Sequence, residues 1–413
     1  MPTKMLNKEP ILNIGIILPA DKRRNIKLSF SNKNNYTIKS QNINPSISSE
    51  NLIVSLKDGE VEIIEKNRSR VTKGITIHSV PAGRGFHWKK IIDVTVPGNI
   101  KITSQNGNLM VINNVPLEQY LACVAVSEMS SACPSAFLEV QSITARSWIL
   151  AATEKKHAEL GIDACNDDCC QRYQGLGQLN QVSKKTVENS RGMVMIHENK
   201  ICDARYSKSC GGKTENCENV WDMEPQPYLK SVHDGPDKDT KVDWENWFSY
   251  SQNTFCSPQF LSENHLSKFL GNVDENRQYF RWKVRFSQDE FCDFFSNNIN
   301  EEVSHIKNID ILNRGESGRI NHLNLEYQTE SGSVKSLQLH NEYDIRKTLH
   351  PSFLYSSAFI LKLDKHYIKF IGAGWGHGVG LCQIGALGMA LNGYLSKEIL
   401  NHYFQNSTLK KLY

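Results

Sequence analysis

The period of the hydrophobic pattern changes near Asn114, and this change restricts the fold more than any other feature of the sequence. From residue 10 to about 110, short apolar runs alternate with polar residues, which is the pattern of half-buried β-strands. Pro97-Gly98 and Asn106-Gly107 supply turns between some of these runs. After Asn114, apolar residues recur at helical spacing instead. Strands followed by helices in one chain predict an α+β fold.

Two helices are predicted directly after this change. The first starts at Asn114-Val115-Pro116, where an amide side chain can cap the helix and proline suits the first turn. One stripe of this helix consists of Leu117, Leu121, Val124 and Glu128. The second helix starts at Pro134 and runs to about Lys156.

The C-terminal part of the chain mixes further strands and helices. Strand-like Tyr279–Phe286 precedes the helix-like stretch Gln288–Asn297. The segment Ile368–Gly388 contains seven glycines, too many for a regular helix or strand throughout. A last helix is predicted from about Gly385 to Phe404.

The length of 413 residues exceeds what one ordinary hydrophobic core supports. We therefore predict a small N-terminal β-rich unit over residues 1–105. A helical and mixed-sheet domain over residues 106–413 follows it, and residues 240–345 form a candidate second lobe within that domain.

Composition excludes some classes of function. The net charge is +4, from 48 basic and 44 acidic residues spread along the chain, so no nucleic-acid footprint is present. No apolar stretch approaches the length of about 18 residues that a transmembrane helix needs. The apolar run Ile11–Leu18 is interrupted by Asn13, and basic residues follow it rather than precede it. This is not the pattern of a signal peptide.

Glu128 is the first candidate for chemistry. A carboxylate on an apolar helical stripe is unusual, because burying a charge costs free energy. Desolvation there would raise the pKa of the carboxyl group, which suits a general acid near neutral pH. The alternative is a structural carboxylate that pairs with Arg146 or a lysine.

The second candidate is a metal site formed by His157, Cys165, Cys169 and Cys170. Imidazole and thiolate groups are the preferred ligands of zinc, and a Cys-rich set without an evident catalytic base indicates a closed structural site. Because adjacent cysteines seldom both bind one ion, we predict that one of Cys169 and Cys170 is not a ligand. The alternative is a group of unpaired buried thiols.

Two glycine-containing segments are candidates for ligand binding. In Gly372–Gly385, alternating glycines permit close approach of the backbone to a ligand and leave Trp375 and His377 open, and tryptophan faces are good platforms for sugar rings. Ser207–Thr214 is a Gly-Gly turn flanked by hydroxyls and cations, including Lys213. The structural alternatives are a tight strand bend and a solvated loop.

Taken in chain order, these segments resemble the SpoIID/LytB family, and the agreement extends from about residue 110 to 405. The motifs are Asn114–Leu121 with Ser127-Glu128-Met129, Gln141–Ser147, Tyr206–Thr214, Ser317–Ile320 and Gly374–Ala386. The resemblance implies a peptidoglycan-acting protein, since the family contains sporulation lytic transglycosylases, which cut glycan strands stripped of stem peptides, and amidase enhancers.

The family's catalytic glutamate falls on Glu128. The resemblance also implies structural zinc bound by His157, Cys165 and Cys170, the last of which opens Cys170-Gln171-Arg172-Tyr173. The family's motif arginine and lysine fall on Arg146 and Lys213. We predict substrate contacts by the following residues: Arg146, Ser207, Lys213, Trp375, His377 and Gln383. Cys382 departs from the family, which commonly has serine there. The N-terminal β unit lies outside the resemblance.

A lytic transglycosylase that forms 1,6-anhydro ends is therefore the function expected, with peptidoglycan as partner and the cell envelope or periplasm as location. Three alternatives stay open at this point. They are a non-catalytic glycan-binding activator of a cell-wall amidase, a zinc amidase, and a thiol hydrolase using Cys382 with His377. If one reaction uses all these segments, Arg146, Lys213, Trp375 and His377 should lie within roughly 12 Å of the Glu128 carboxylate, in an elongated groove.

Overall fold

The computed structural model describes residues 8–43, 45–48, 50–57, 59–66, 73–86, 88–151, 156–237, 244–248, 253–271 and 278–413. The chain divides into two compact units. The first unit contains Met1–Asp203, Lys268–Asp274 and Leu409–Tyr413, and the second contains Ala204–Ser267 and Glu275–Thr408. The domain boundary predicted near residue 105 falls inside the first unit.

The fold is α+β, as predicted from the sequence. The strands are β1 (Ile11–Ile17), β2 (Asn25–Phe30), β3 (Tyr36–Gln41), β4 (Ser46–Ile47), β5 (Asn51–Ser55), β6 (Glu60–Glu65), β7 (Ile75–Ala82), β8 (Lys90–Val96), β9 (Asn99–Gln105), β10 (Asn108–Pro116), β11 (Ala164–Cys165), β12 (Met193–His197), β13 (Lys200–Ile201), β14 (Tyr206–Ser207), β15 (Arg281–Ser287), β16 (Val303–Arg314), β17 (Ile320–Thr329), β18 (Val334–Leu339), β19 (Phe359–Leu363), β20 (Tyr367–Ala373), β21 (Leu381–Cys382) and β22 (Thr408–Lys411).

The helices are α1 (Leu117–Glu128), α2 (Ser135–Ala151), α3 (Gln181–Asn189), α4 (Trp244–Trp247), α5 (Glu263–Leu266), α6 (Gln288–Ile299), α7 (Glu342–Thr348), α8 (Gln383–Leu391) and α9 (Ser396–Tyr403). No helix in the described ranges is both long enough and apolar enough to cross a membrane. The predicted end of the second helix near Lys156 follows residues 152–155, which lie outside the described part of the chain.

The first unit is built on two sheets and the helices that cover them. One sheet has the strand order β11-β1-β10-β9-β6-β3, and the other has the order β4-β5-β2-β7-β8. The turn predicted at Asn106-Gly107 joins β9 and β10 in an antiparallel pair. A third sheet, β13-β12-β22, brings the C-terminal strand into this unit. The last residue, Tyr413, donates a hydrogen bond from its hydroxyl to Glu118.

Helix α1 starts later than the sequence predicts. Strand β10 continues to Pro116, and Asn114 is paired in register with Asn13 on one side and Asn99 on the other. The side-chain amide of Asn114 donates to the side-chain oxygen of Asn13 at 3.0 Å rather than capping the helix. The sheet ladder on both sides therefore prevails over the local capping signal.

Helix α1 is buried on nearly every face, not along one stripe. It packs against β10, α2 and α3, and Gln119 is its exposed residue. A helix that is apolar almost all round is typical of the interior of a larger unit. The amphipathic stripe predicted from the sequence was therefore only part of the buried surface.

The second unit has its own hydrophobic core. Sheets β15-β20-β19 and β16-β17-β18 lie with α6 and α7 around a cluster of aromatic and aliphatic side chains. The strand and helix predicted from Tyr279 and from Gln288 correspond to β15 and α6. Helix α6 starts with a capping box, in which Ser287 and Glu290 bond to each other's backbone N–H groups.

The single C-terminal helix predicted from Gly385 to Phe404 is two helices. Helix α8 ends at Leu391, and Gly393 has a φ of +86°. A residue in this left-handed conformation just after a helix ends it, and glycine adopts it without steric cost. The chain then turns into α9.

We predict that acid destabilises the second unit in part through His350. Burial lowers the pKa of the His350 imidazole to about 4, so near pH 5 the unfolded chain binds a proton that the folded chain does not. The contribution of neutral His350 to the unfolding free energy is fully present above about pH 6.5 and is lost as the pH falls toward 4. When the pH falls from about 7 to 5, the wild type should lose about 1–2 kcal/mol more unfolding free energy than His350→Gln does.

Urea unfolding at both pH values measures this difference. The control is His366→Gln, which removes an exposed imidazole of the same unit. An unchanged pH dependence in His350→Gln would show that His350 titrates normally in the folded protein.

Candidate active site and metal centre

Glu128 is the last residue of α1 and is held there by the segment that follows Cys170. The backbone N–H of Arg172 donates to Oε1 of Glu128 at 3.0 Å. Next to it, the N–H of Gln174 donates to the hydroxyl of Ser127 at 3.0 Å, and that hydroxyl donates to the Cys123 carbonyl at 2.7 Å. Glu128 retains a relative exposure of 7%. Its carboxylate is therefore fixed in position and almost entirely removed from bulk water.

Arg172 is a residue of this site that the sequence reasoning did not single out. Its guanidinium pairs with Asp168 at 2.9 Å and lies over the Trp88 ring, 4.7 Å from the ring centroid. Trp88 in turn donates from its indole nitrogen to Asp168 at 3.0 Å. These contacts fix the side chain of the residue whose backbone bonds to Glu128. The signal was available in Cys170-Gln171-Arg172-Tyr173.

Arg146 is not part of this arrangement. Its guanidinium donates to both carboxylate oxygens of Glu118, at 3.0 and 2.5 Å, and to the Met193 carbonyl at 2.9 Å. Arg146 is fully buried. Glu118 precedes Glu128 by ten residues, which is about 15 Å along a helix axis. These contacts point to a structural role for Arg146 instead of the predicted substrate contact, and Arg146 is likewise not the partner considered for Glu128.

The predicted metal ligands come together. One ligand atom from each of His157, Cys165, Cys169 and Cys170 lies within 4.8 Å of all the others. Sγ of Cys169 lies 3.1 Å from Sγ of Cys165 and 3.8 Å from Nε2 of His157. This nitrogen and sulfur donor set fits zinc, and four ligands make a closed site. The structure thus includes Cys169 as well as Cys170, and the expectation that one of the two is not a ligand has no support in this geometry.

The predicted metal cluster lies close in sequence to the residue that bonds to Glu128, since Arg172 follows Cys170 by two positions. Between Cys170 and Arg172, the buried side chain of Gln171 accepts from the Tyr120 hydroxyl at 3.0 Å and donates to the Ala145 carbonyl at 3.1 Å. These bonds tie the Cys-rich segment to α1 and α2. The cluster therefore positions the backbone that holds Glu128.

In the second unit, the two predicted ligand-binding segments run beside each other. Strands β14 and β21 pair in parallel. Ser209 and Trp375 exchange two backbone hydrogen bonds of 2.8 and 3.1 Å, and the N–H of Glu215 donates to the Gly378 carbonyl at 3.0 Å. The loop after β14 and the glycine-rich segment before α8 are thus joined by backbone hydrogen bonds. In the sequence they are two separate motifs.

The side chains predicted to contact substrate differ in exposure. Trp375 and His377 are partly exposed, whereas Ser207, Lys213 and Gln383 are buried. The Trp375 ring stacks on Tyr355, with 4.2 Å between centroids and 10° between planes. One face of the indole is therefore already covered by an aromatic ring of the protein.

His377 is held as a neutral imidazole. Its Nε2 lies 2.9 Å from the Tyr206 carbonyl, which only accepts, and its Nδ1 lies 3.1 Å from the Val379 N–H, which only donates. Although the residue is partly exposed, desolvation of its imidazole, followed by the neighbouring arginines, lowers the pKa of His377 well below its usual value. Both ring nitrogens are used by the backbone, so His377 does not activate the Cys382 thiol, and the thiol-hydrolase alternative loses its base.

Arg319 is a second residue that the sequence reasoning did not select, although it lies in the Ser317–Ile320 motif. It is 1% exposed, and it donates to the carbonyls of Gly376 and Cys210. A Cβ at Gly378 would lie 2.3 Å from the Arg319 Cζ. The glycine at 378 therefore leaves the space that this guanidinium fills.

The prediction of a single cleft concerns residues in both units. Glu128 and Arg146 belong to the first unit, and Lys213, Trp375 and His377 belong to the second. The convergence of these residues within roughly 12 Å of Glu128, about the length of a disaccharide, stays a prediction.

Comparison with known proteins is consistent with this geometry. Residues 105–197, which include α1, Glu128 and the Cys-rich segment, match the stage II sporulation protein (SpoIID) family. Residues 215–380 match a domain of unknown function, DUF8618. The chain is 27% identical over 311 residues to an uncharacterized protein of Brachyspira hyodysenteriae, which covers 74% of this chain and 70% of that protein.

Two relatives from Bacillus subtilis have informative names. The stage II sporulation protein D is 23% identical over 361 residues, 84% of this chain and 88% of its own length. The amidase enhancer is 25% identical over 298 residues, 69% of this chain and 39% of its own length. The Glu128 segment thus lies in a stage II sporulation-type domain. The resemblance to the SpoIID family stated from the sequence motifs is thereby confirmed.

We predict that Arg146 stabilises the fold and does not bind substrate. Arg146→Met leaves the Glu118 carboxylate buried without its cation, which should lower the unfolding free energy by about 3–5 kcal/mol. The double variant Glu118→Leu with Arg146→Met should recover much of this loss, since no charge is then left unpaired. Urea unfolding measures both. Exposed Arg24→Met is the control, and a stable Arg146→Met protein with weakened glycan binding would restore the substrate role.

We predict that Cys165, Cys169 and Cys170 all hold the same metal ion. Each Cys→Ser variant should lose about one equivalent of zinc and melt at a lower temperature, because the binding energy of a structural metal is folding energy. Elemental analysis and thermal unfolding measure the two effects. Cys123→Ala, a buried cysteine of α1 outside the cluster, should keep its zinc. Full zinc in Cys169→Ser would instead support the three ligands His157, Cys165 and Cys170.

Proposed function

We propose that this protein is a peptidoglycan lytic transglycosylase in which Glu128 is the single acid and base. The observation that carries this proposal is the fixed, nearly buried Glu128 carboxylate at the end of α1, inside the SpoIID-matching region. The substrate is the bond between N-acetylmuramic acid and N-acetylglucosamine in the glycan strand. The cell envelope or periplasm is the proposed location, because that is where this substrate lies.

One carboxylate is sufficient for this reaction because the substrate supplies its own nucleophile. Protonated Glu128 gives its proton to the glycosidic oxygen as the bond from that oxygen to C1 of the muramic acid breaks. The 6-hydroxyl of the same sugar then bonds to C1, and the Glu128 carboxylate takes the proton of that hydroxyl. The glutamic acid is regenerated, no water is consumed, and the product has a 1,6-anhydro end. Hydrolytic glycosidases, in contrast, need a second carboxylate for water or for a covalent intermediate.

The surroundings of Glu128 suit this double role. The Arg172 N–H bond to Oε1 restricts rotation of the carboxyl group, so that its oxygens keep one direction during both proton transfers. Low exposure to water strengthens the interaction of the carboxylate with positive charge that develops on the sugar ring.

Zinc at His157, Cys165, Cys169 and Cys170 would supply rigidity and not chemistry. Four nitrogen and sulfur donors would fill the coordination of a zinc ion and would leave no position for substrate or activated water. This is the observation that disfavours a zinc amidase. The residues of the chain around Cys170 then keep the Arg172 N–H in place for Glu128.

We further propose that the paired segments of the second unit bind the glycan. Trp375 presents a partly exposed indole that is stiffened by its stacking on Tyr355, and rigid aromatic surfaces suit sugar rings. Lys213 forms an ion pair with Glu316 at 3.8 Å, with its own side chain largely buried. Lys213 therefore supports this loop in addition to any contact that it makes with substrate.

A second candidate function is a non-catalytic activator that binds glycan and stimulates a cell-wall amidase. The similarity to the amidase enhancer of Bacillus subtilis favours it. This function uses the same glycan-binding surface but does not need an acid at Glu128.

The Glu128→Gln variant separates the two functions. The amide keeps the shape of the side chain but cannot transfer the proton, so formation of anhydro-muramyl ends from peptide-free glycan strands should fall by at least about 10²-fold. Mass spectrometry of the products measures the ends. Glu159→Gln, an exposed carboxylate of the same unit, is the matched control and should keep full activity.

Near wild-type formation of anhydro ends by Glu128→Gln would exclude Glu128 as the acid. If neither the wild type nor Glu128→Gln forms such ends but both stimulate an amidase equally, the activator function is the correct one. Thermal unfolding of both variants verifies that a loss of activity does not come from loss of the fold.

A further inference from the structure

The second unit contains a cluster of three thiols and one carboxylate that the proposed reaction does not use. Ligand atoms of Cys210, Asp234, Cys256 and Cys382 all lie within 4.8 Å of one another. The four residues are between 0% and 3% exposed. They come from four separate stretches of chain, and hydrogen-bonded Cys210 and Cys382 are 172 positions apart in sequence.

Two distances in this cluster match those between ligands around one tetrahedral ion. Sγ of Cys210 lies 3.8 Å from Sγ of Cys256 and 3.4 Å from Oδ2 of Asp234. A zinc ion with bonds of about 2.3 Å to sulfur and about 2.1 Å to oxygen separates two sulfurs by about 3.8 Å, and a sulfur and an oxygen by about 3.6 Å. A disulfide would instead bring two sulfurs to about 2.05 Å. The cysteines of the cluster are unlinked.

The carboxylate needs a positive partner that its hydrogen bonds do not supply. Asp234 is fully buried. Its Oδ1 accepts from the Tyr403 hydroxyl, and its Oδ2 accepts from the Cys256 N–H at 3.1 Å and from the Cys210 thiol. None of these partners carries a positive charge. A buried carboxylate beside three thiols is costly without a cation, and it is a complete ligand set with one.

Backbone groups around the cluster are arranged for thiolate sulfurs. Sγ of Cys382 accepts from the Cys210 N–H at 3.2 Å and from the Gly385 N–H at 3.3 Å, at the start of α8. Sγ of Cys210 accepts from the Gly212 N–H at 3.4 Å. Such N–H bonds orient metal-bound sulfurs and spread their charge. A Cβ at Gly385 would lie 2.5 Å from Oδ1 of Asp234, so the surroundings are closely fitted.

Two guanidinium groups lie next to the cluster and offset its negative charge. Arg281 donates to the Gly211 carbonyl at 2.8 Å, and Arg319 donates to the Cys210 carbonyl at 3.2 Å. Three thiolates, one carboxylate and one divalent ion leave two negative charges. The two neighbouring guanidinium groups therefore offset part of this charge without occupying a ligand position.

We propose that Cys210, Asp234, Cys256 and Cys382 bind a zinc ion in a second, closed structural site, separate from the cluster at His157. The ion joins the loop after β14 to the start of α8 and so fixes the paired glycine-containing segments. This role explains the family departure at Cys382, since a serine hydroxyl is a poor substitute for a thiolate on zinc. The proposal is independent of the reaction at Glu128.

The test is the zinc content of the whole protein, purified under reducing conditions without added chelator. Native mass spectrometry of the wild type should show two zinc ions per chain. Cys382→Ser and Cys256→Ser should each lose about one of them, while the Cys165→Ser/Cys170→Ser double variant should lose the other. Cys292→Ala, a buried cysteine of α6 outside both clusters, should retain both.

The cobalt form supplies a measurement that does not depend on folding of the Cys256 and Cys382 variants. The Cys165→Ser/Cys170→Ser protein, loaded with about one equivalent of Co²⁺, should show sulfur-to-cobalt charge-transfer absorption of a tetrahedral thiolate site. Absence of that absorption, or unchanged zinc content in a folded Cys382→Ser protein, would overturn the second site. A disulfide among Cys210, Cys256 and Cys382 in the purified wild type would overturn it as well.

Discussion

The hydrogen bond from the Arg172 N–H to Glu128 connects the two features that define the first unit. On one side of it is α1, buried on nearly all faces, and on the other is the Cys-rich segment. The bond holds one oxygen of a carboxylate whose residue is only 7% exposed. Through this bond, the position of the proposed acid depends on the local fold of the Cys-rich segment. The metal cluster and the carboxylate are thus one structural arrangement, although they differ entirely in chemistry.

Both units also contain an arginine in their interior, and these arginines organise their surroundings. Arg146 joins α2 to α1 through Glu118 and to β12 through the Met193 carbonyl. Arg319 joins the Ser317–Ile320 motif to the glycine-rich segment. In each case several separate stretches of backbone or side chain bond to one planar cation with many donors. A motif arginine in this chain therefore indicates a connection between segments as readily as it indicates a substrate contact.

The parts of the structure that could be predicted were those encoded over short distances. The α+β class, helix α6 and the His157-to-Cys170 cluster all follow from the spacing of nearby residues. The roles of Arg146 and His377 did not follow, because a buried cation and a neutral imidazole look the same in sequence as their exposed counterparts. The break at Gly393 had a local signal, a glycine directly after an apolar helical run. The assembly of Cys210, Asp234, Cys256 and Cys382 had none, because only the tertiary fold brings those positions together.

Strand β22 has a consequence for the order in which the chain folds during its synthesis. This strand lies beside β12 in a sheet of the first unit, and the residues after it return to the same place, with the Leu412 N–H donating to the Gly192 carbonyl. On the ribosome, β12 emerges with one edge unpaired, and Glu118 lacks the Tyr413 donor, until the whole second unit has been translated. The half-built first unit therefore exposes an open sheet edge for about 200 codons of translation, a period in which a chaperone or early folding of the second unit must prevent incorrect pairing.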